Sequence, residues 1–211
     1  MTYKEYFIKV LKETSREGID NVIKNLEDLG FFEAPASTLF HLNEPGGLLV
    51  HSCNVYRQAM ALKRLEVDFC DKLEERSSTH GVRNLASKLP DDSIAIAALL
   101  HDISKAEIYK PVKKNRKNAA GKWEEYDGYD VDYSSFPLGH GEKSVIRLLQ
   151  WGLKMTEDEI IAIRWHMGPW DLAFQSPEQR NNNSAAKDKC PLLSIICAAD
   201  GLSSSILEAK A

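Results

Sequence analysis

The amino-acid sequence predicts an all-α fold, and three observations support this prediction. Apolar residues recur at spacings of three and four positions in most of the segments that lie between turn signals. Residues that commonly cap or stop helices stand at the ends of these segments. Almost no segment alternates apolar and polar residues with the period of two that a half-buried strand requires.

Length and composition restrict the class of protein. The chain has 211 residues, of which 43% are hydrophobic and 27% charged, and its formal net charge is -4. This balance excludes a disordered chain, and the length suffices for one good-sized core. The longest apolar run, Ile94 to Leu100, has seven residues, whereas a membrane helix needs about 20. With a charged N-terminus that lacks an apolar signal core, we expect one domain over residues 1–211, cytoplasmic and without membrane contact.

The first half of the chain predicts three helices. One apolar stripe covers residues 3–11, and a second covers residues 19–29, after which Gly30 is placed to end the helix. Two prolines mark residues 31–46 as a loop that completes the N-terminal region. A longer helix is expected over residues 47–65 and beyond.

Three more helices are predicted further along the chain. One of the two aspartates at 91–92 is expected to cap a helix that continues through the apolar run into residues 101–102. The capping-box spacing of residues 156–159 opens a helix that the Gly-Pro pair at 168–169 would end. A last helix is expected over about residues 190–208.

Residues 110–139 depart from this pattern and are predicted as a loop or hairpin insertion near the site. A connection of this length without helical period is unusual in a compact domain and is often functional. As one hypothesis, its cations bind phosphate and its aromatic rings stack on a base: Lys113, Lys114 and Arg116, with Trp123 or Tyr126. The alternative is a solvated segment whose basic half pairs with its acidic half.

Histidines and aspartates near apolar segments indicate the chemistry. A carboxylate on a buried helix is costly unless it is paired, hydrogen-bonded or bound to metal, and Asp102 and Asp200 both follow apolar runs. Imidazole and carboxylate together suit a transition metal better than calcium. The candidate metal ligands are His51, His101, Asp102, His140, His166 and Asp200.

The expected cofactor is one or two divalent ions, of Fe, Mn, Ni, Co or Zn, with Mg as a further candidate. Asp102 has two oxygens and can bridge two ions. A first ion would then be held by His51, His101, Asp102 and Asp200, and a second by His140 and His166 together with Asp102. Two ions about 3.5–4 Å apart suit phosphoester hydrolysis.

Each of these residues also has a structural interpretation. A buried histidine commonly bonds a backbone carbonyl, Asp200 before Gly201 could end a helix, and Lys105 could be a solvated surface residue. We interpret His41 and His80 as structural, because His41 lacks an obvious partner and His80 stands in a polar run. The ordered occurrence of six ligand-type residues on separate predicted segments favours the metal site.

The order His51, His101-Asp102 and Asp200 resembles the HD superfamily of metal-dependent phosphohydrolases. The segment GGLLVHSCNVYRQA is similar to the helix of the first histidine, and AALLHDISKA is similar to the signature helix with its H-D-x-x-K form. LGHGEKS and IRWHMG resemble the two additional histidine segments of the binuclear branch. The match runs from about Gly46 to Asp200.

The resemblance implies an HD-domain-like helical bundle with the metals at its centre, the six residues above as ligands and Asp102 as the bridge. It also implies that Lys105 neutralises substrate phosphate, which makes Asp102 and Lys105 the candidate catalytic residues. His166 is followed by Met-Gly-Pro, not by the motif of the cyclic-di-GMP phosphodiesterase branch, and this argues against that substrate.

We therefore predict a hydrolase that cleaves a phosphomonoester or phosphodiester, a nucleotide or a short oligonucleotide, by a metal-activated hydroxide. Its expected partner is a small phosphorylated substrate, with single-stranded nucleic acid as a further candidate. The alternatives are a non-catalytic HD module that binds a nucleotide or metal, and a di-iron HD oxygenase. Intact residues at all six ligand positions argue against the module, and Lys105 fits phosphate better than oxygenase chemistry.

Overall fold

The computed structural model describes residues 1–77, 85–168 and 176–209, with the backbone alone for residues 69–77. The prediction of an all-α fold is confirmed, and a single antiparallel hairpin accompanies the helices in the described part of the chain. The elements in chain order are α1 (Tyr3–Glu13), α2 (Ile19–Asp28), α3 (Gly47–Ser77), α4 (Asp91–Leu100), α5 (Lys105–Ile108), β1 (Tyr109–Lys117), β2 (Trp123–Val131), α6 (His140–Gln150), α7 (Glu157–Trp165), α8 (Pro177–Lys189) and α9 (Pro191–Leu202). Short 3-10 turns cover Phe31–Glu33 and Ala86–Lys88, and a π-helical turn, Ser203–Leu207, continues α9.

Helix α4 lies at the centre of the molecule. Every residue from Ser93 to Leu100 is buried, and α4 packs against α1, α3, α7 and α9. A helix that is apolar on all sides needs neighbours on all sides, which is why the most apolar segment of the chain became the core. The segment that follows α4 is therefore delivered to the middle of the bundle.

Two details of α4 differ from the prediction. The N-cap is Pro90, without a side-chain hydrogen bond, and Asp91 is the first helical residue, with its carboxylate paired with Lys63 at 2.6 Å. The helix also ends at Leu100, so His101 and Asp102 lie in the turns that follow it.

The other predicted helix ends agree closely with the structure. Thr156 and Glu159 form the capping box of α7, and Gly30, with a φ of +76°, follows the end of α2 in the left-handed conformation. The Pro169 of the predicted stop lies outside the described residues. Helix α8 was not predicted, because its exposed polar face leaves no apolar stripe, with only Asn183 and Ala186 buried.

A buried ion pair joins the connection between α1 and α2 to helices α4 and α7. Both oxygens of Glu159 accept from the Arg16 guanidinium, at 2.7 and 2.8 Å, and they also accept from the Ser93 hydroxyl and the Thr156 amide. The Glu159 side chain is fully buried and Arg16 is 17% exposed. This carboxylate thus ties the α1–α2 connection, α4 and α7 together.

The segment after α5 is a hairpin in which β1 runs from Tyr109 opposite Val131 to Lys117 opposite Trp123. Its cations face acids across the strands, with ion pairs of 2.7 Å for Lys113–Asp127, Lys114–Asp130 and Arg116–Glu124. These contacts correspond to the self-paired alternative considered for residues 110–139, and they occupy the three cations that were considered for phosphate.

Two further observations concern membranes and cysteines. Among the described helices none is both long and apolar enough to cross a membrane alone. Helix α8 and the α9 segment, which are bent by 103° at their junction, reach the required length and composition only as a pair. Cys53, Cys190 and Cys197 are free thiols.

Candidate metal centre

The six candidate ligands come from five segments and meet in the bundle interior. His51 lies in the second turn of α3 and Asp200 lies near the end of α9. The others stand at helix ends: His101 and Asp102 directly after α4, His140 at the start of α6 and His166 directly after α7. His51 and His101 are fully buried, Asp102 is 1% exposed and His166 is 3% exposed.

The two oxygens of Asp102 divide the histidines into two pairs. Oδ2 lies 3.1 Å from His101 Nε2 and 3.6 Å from His51 Nε2. Oδ1 lies 3.3 Å from His166 Nε2 and 3.5 Å from His140 Nε2. Asp200 joins the first pair, with its Oδ1 at 3.3 Å from His51 Nε2.

A close crossing of α6 and α7 brings the second pair together. A Cβ at Gly141 would stand 2.6 Å from the Arg164 carbonyl oxygen and 3.0 Å from that of Ile163, so only glycine fits at this crossing. This crossing brings His140, next to Gly141, and His166, two residues after Arg164, to 5.1 Å between their ring centroids. The second pair depends on a helix contact as well as on its own residues.

Hydrogen bonds on the far side of three rings determine their tautomers. His101 Nδ1 donates to the Ala98 carbonyl at 2.9 Å, His166 Nδ1 to the Ile163 carbonyl at 2.7 Å, and His51 Nδ1 to Glu208 at 2.9 Å. Since carbonyls and carboxylates only accept, each Nδ1 carries a proton, and in the neutral ring the Nε2 of each then presents a lone pair to the centre. Metal-binding histidines are held in this way in proteins.

The Nε2 atoms of His51, His101 and His166 are buried and have no hydrogen-bond partner among the described residues. Leaving buried acceptors unpaired is costly unless something absent from the protein chain satisfies them. Three groups of side chains have ligand atoms that all lie within 4.8 Å of one another: His51, His101 and Asp200; His101, Asp102 and His166; and His41, His51 and Glu208. The donor set therefore fits a divalent metal.

Charge in the centre favours a cation as well. Burial alone would raise the pKa of Asp102, but the Lys105 ammonium, 2.6 Å from Oδ2, and His101 hold that pKa well below its ordinary value. Burial alone would lower the pKa of His51, yet Asp102, Asp200 and Glu208 raise it well above its ordinary value. These three carboxylates and one ammonium leave a charge of two negative units when the imidazoles are neutral, which a divalent ion balances.

Sequence reasoning missed two residues at this centre. Glu208, just after the π-helical turn, accepts from His51 and also from Asn54 Nδ2 at 3.0 Å, with its side chain only 2% exposed. His41 was interpreted as structural because it lacks an obvious partner in the sequence; the structure places its ring 5.1 Å from that of His51 and its Nε2 3.9 Å from Glu208. No spacing signal marks either residue. His80 lies outside the described residues.

Lys105 points inward and is not the solvated surface residue of the structural interpretation. Its side chain is 12% exposed, and Asp102 raises its pKa although burial alone would lower it. The ammonium thus lies at the centre as a permanent positive charge.

Comparison with known proteins identifies one family. The model of the HD domain matches residues 48–205, a span that contains all six candidate ligands. Neither the curated proteins nor the solved structures include a significant match to this chain.

Proposed function

The chain belongs to the HD domain family, within the superfamily of metal-dependent phosphohydrolases, and we propose that it hydrolyses a phosphomonoester or phosphodiester. The substrate is a nucleotide or a short oligonucleotide, and its reacting phosphate is placed at Asp102 and Lys105.

The observation that supports this proposal best is the division of the histidines by Asp102. A carboxylate with two histidine Nε2 atoms near each oxygen has the arrangement required of a bridge between two ions. His51, His101, Asp102 and Asp200 would hold the first ion, and His140, His166 and Asp102 the second. Nitrogen and oxygen donors of this kind suit Fe, Mn, Ni, Co or Zn, with Mg as a further candidate. Divalent ions so bound supply Lewis acidity toward phosphoryl oxygens and lower the pKa of water.

Lys105 has the position to bind the phosphate. Its ammonium lies on the same Asp102 oxygen that faces His51 and His101, and it keeps its proton because the carboxylate raises its pKa. A permanently charged donor at this place can pair with a non-bridging phosphate oxygen and stabilise the charge that develops there during phosphoryl transfer.

Metal analysis combined with a substrate panel tests the proposal. Purified protein, loaded with each candidate ion in turn, is assayed against phosphomonoesters, phosphodiesters and short oligonucleotides, with oxygen uptake followed in parallel. We expect hydrolysis of at least one phosphoester, and we expect Asp102→Ala to lose both turnover and metal, because it removes a ligand of both ions. Asp91→Ala, which removes an exposed aspartate at the start of the core helix α4, is the matched control and should retain both.

The alternatives give different results in the same experiment. A protein that binds metal but cleaves no member of the panel would be a binding module. Bound iron with oxygen uptake and no phosphoester hydrolysis would identify the oxygenase. Normal metal content and activity in Asp102→Ala would remove this residue from the centre.

A further inference from the structure

A cavity of about 350 Å³ opens directly beside the metal centre. His166 and Asp200 form the wall that it shares with the centre, and the end of α8 and the outer face of α9 form the rest. Its lining residues are His166, Met167, Gly168, Lys187, Cys197, Asp200, Gly201 and Ser204. We call this space the α8–α9 cavity.

The size of the α8–α9 cavity restricts what it can hold. Ligand pockets in proteins span roughly 300–1,000 Å³, so this one lies at the lower end of the range. It can enclose one small organic group that is attached to a phosphate at the metal centre. A strand of several nucleotides would extend beyond it.

Two charged side chains line the α8–α9 cavity: Lys187, and Asp200, whose carboxylate also faces His51 at the metal centre. Lys189, two residues along the same helix, pairs with Glu157 at 2.8 Å. In the described part of the chain, no carboxylate lies within ion-pair distance of Lys187, whose side chain is largely exposed. Since no ion pair involves Lys187 among the described residues, its ammonium is available to an anionic ligand.

The thiol of Cys197, which also lines the cavity, is not a reactive group. It donates to the His166 carbonyl at 3.0 Å, and burial raises its pKa to about 11 while the charge of Lys187 acts in the opposite direction. The thiol therefore stays protonated at neutral pH.

We propose that the α8–α9 cavity holds the organic part of a small phosphoester and that Lys187 binds a second anionic group carried by that part. This inference rests on the proposed function, because the phosphate under attack lies at Asp102 and Lys105. It narrows the substrate class to small phosphoesters with a further carboxylate or phosphate, and it makes Lys187 a specificity-determining residue.

Two matched pairs of probes test the inference. Phenylphosphonate and 4-carboxyphenylphosphonate differ by one carboxylate and are not hydrolysed, and phenyl phosphate and 4-carboxyphenyl phosphate are the corresponding substrates. Calorimetry measures binding of the phosphonates to the metal-loaded protein, and a phosphate-release assay gives kcat/KM for the esters. The variants are Lys187→Gln, Lys189→Gln as the control on the same helix, and Gly201→Leu. A Cβ at Gly201, which lines the cavity, would meet no atom within 4 Å, so this last variant adds bulk at the cavity wall.

We expect the wild type to prefer the carboxylated member of each pair, and Lys187→Gln to reduce that preference about two- to fivefold, as for one exposed charge pair. Lys189→Gln should keep the preference. Gly201→Leu should weaken phenylphosphonate binding more than inorganic phosphate binding.

The failures of the two proposals are distinguishable. An equal preference in wild type and Lys187→Gln, with hydrolysis intact, would overturn the role of Lys187 and leave the phosphohydrolase standing. Phosphonate binding that depends on Lys187, without hydrolysis of any ester, would overturn the phosphohydrolase and support the anion site. Absence of binding by every probe would overturn the cavity proposal.

Discussion

Replacing Glu208 by glutamine tests how the first metal position is held. Both oxygens of Glu208 accept hydrogen bonds, Oε2 from His51 Nδ1 at 2.9 Å and Oε1 from Asn54 Nδ2 at 3.0 Å. The amide of Glu208→Gln has one acceptor and one donor group, so one of the two partners now meets an NH2. Asn54 can rotate its own amide to accept from that NH2, whereas His51 can accept only if Nδ1 loses its proton. If the NH2 faces His51, the ring changes tautomer and its Nε2 carries the proton, which removes a metal-binding lone pair.

The magnitude follows from the contact that is lost. A hydrogen bond to a charged group contributes about 1.5–3 kcal/mol, and about 1.4 kcal/mol corresponds to a tenfold change in affinity. We therefore expect Glu208→Gln to weaken binding of the first ion about 10- to 100-fold, which matches the effect typical of residues that orient metal-binding histidines. The loss should be larger in Glu208→Ala, which leaves both the His51 and Asn54 donors unpaired.

Competition with a chromophoric chelator measures the metal affinity, and 15N NMR of the imidazole nitrogens reports the tautomer of His51 independently of activity. Glu27→Gln is the charge-matched control, because Glu27 pairs with Lys4 on the surface. Wild-type metal affinity in Glu208→Gln would refute the reasoning.

Three further predictions concern other parts of the molecule. His140→Ala and His166→Ala should each reduce the metal stoichiometry from two ions to one, because each side chain faces only Oδ1 of Asp102; elemental analysis showing two ions in either variant would contradict a binuclear site. Lys105→Ala should keep its metal and lose about 10²-fold in kcat/KM for a phosphoester, with partial recovery in the arginine variant, and unchanged kinetics would exclude a role in phosphate binding. Glu159→Ala should lower the free energy of unfolding by about 3–5 kcal/mol in urea titrations, since it leaves its arginine partner without a counter-charge; a loss under about 1 kcal/mol would contradict this.

The fold was predictable where one physical signal dominated a segment. The apolar run of α4 had to be buried on every side, and the Thr156–Glu159 spacing located the start of α7. Turn residues and periodicity could not locate α8, because a helix that covers the bundle with few buried side chains needs no apolar stripe. The length of the hairpin was also not predictable, since its strands are stabilised by cross-strand charge pairs and show no apolar alternation.

At the centre, the sequence indicated the candidate metal ligands but not the residues that contact and orient them. Asp102 and Asp200 stood out as carboxylates that follow apolar runs, and both lie close to His51 in the structure. Glu208 is an ordinary residue in a polar C-terminal segment until the π-helical turn folds it back onto α3. Long-range contacts of this kind leave no trace in local spacing, and the contacts of His41 were missed for the same reason.

The wide separation of these residues along the chain has a consequence for folding. His51 and Glu208, which touch at the centre, are 157 positions apart. The donor set therefore exists only when almost the whole domain is folded, so an ion bound there recognises the native state and not the unfolded one. By thermodynamic linkage, such an ion at a thousandfold excess over its Kd adds about 4 kcal/mol to the free energy of unfolding. The metal would then act as a reversible cross-link between the two ends of the domain, and chelation would lower the melting temperature of the entire bundle at once.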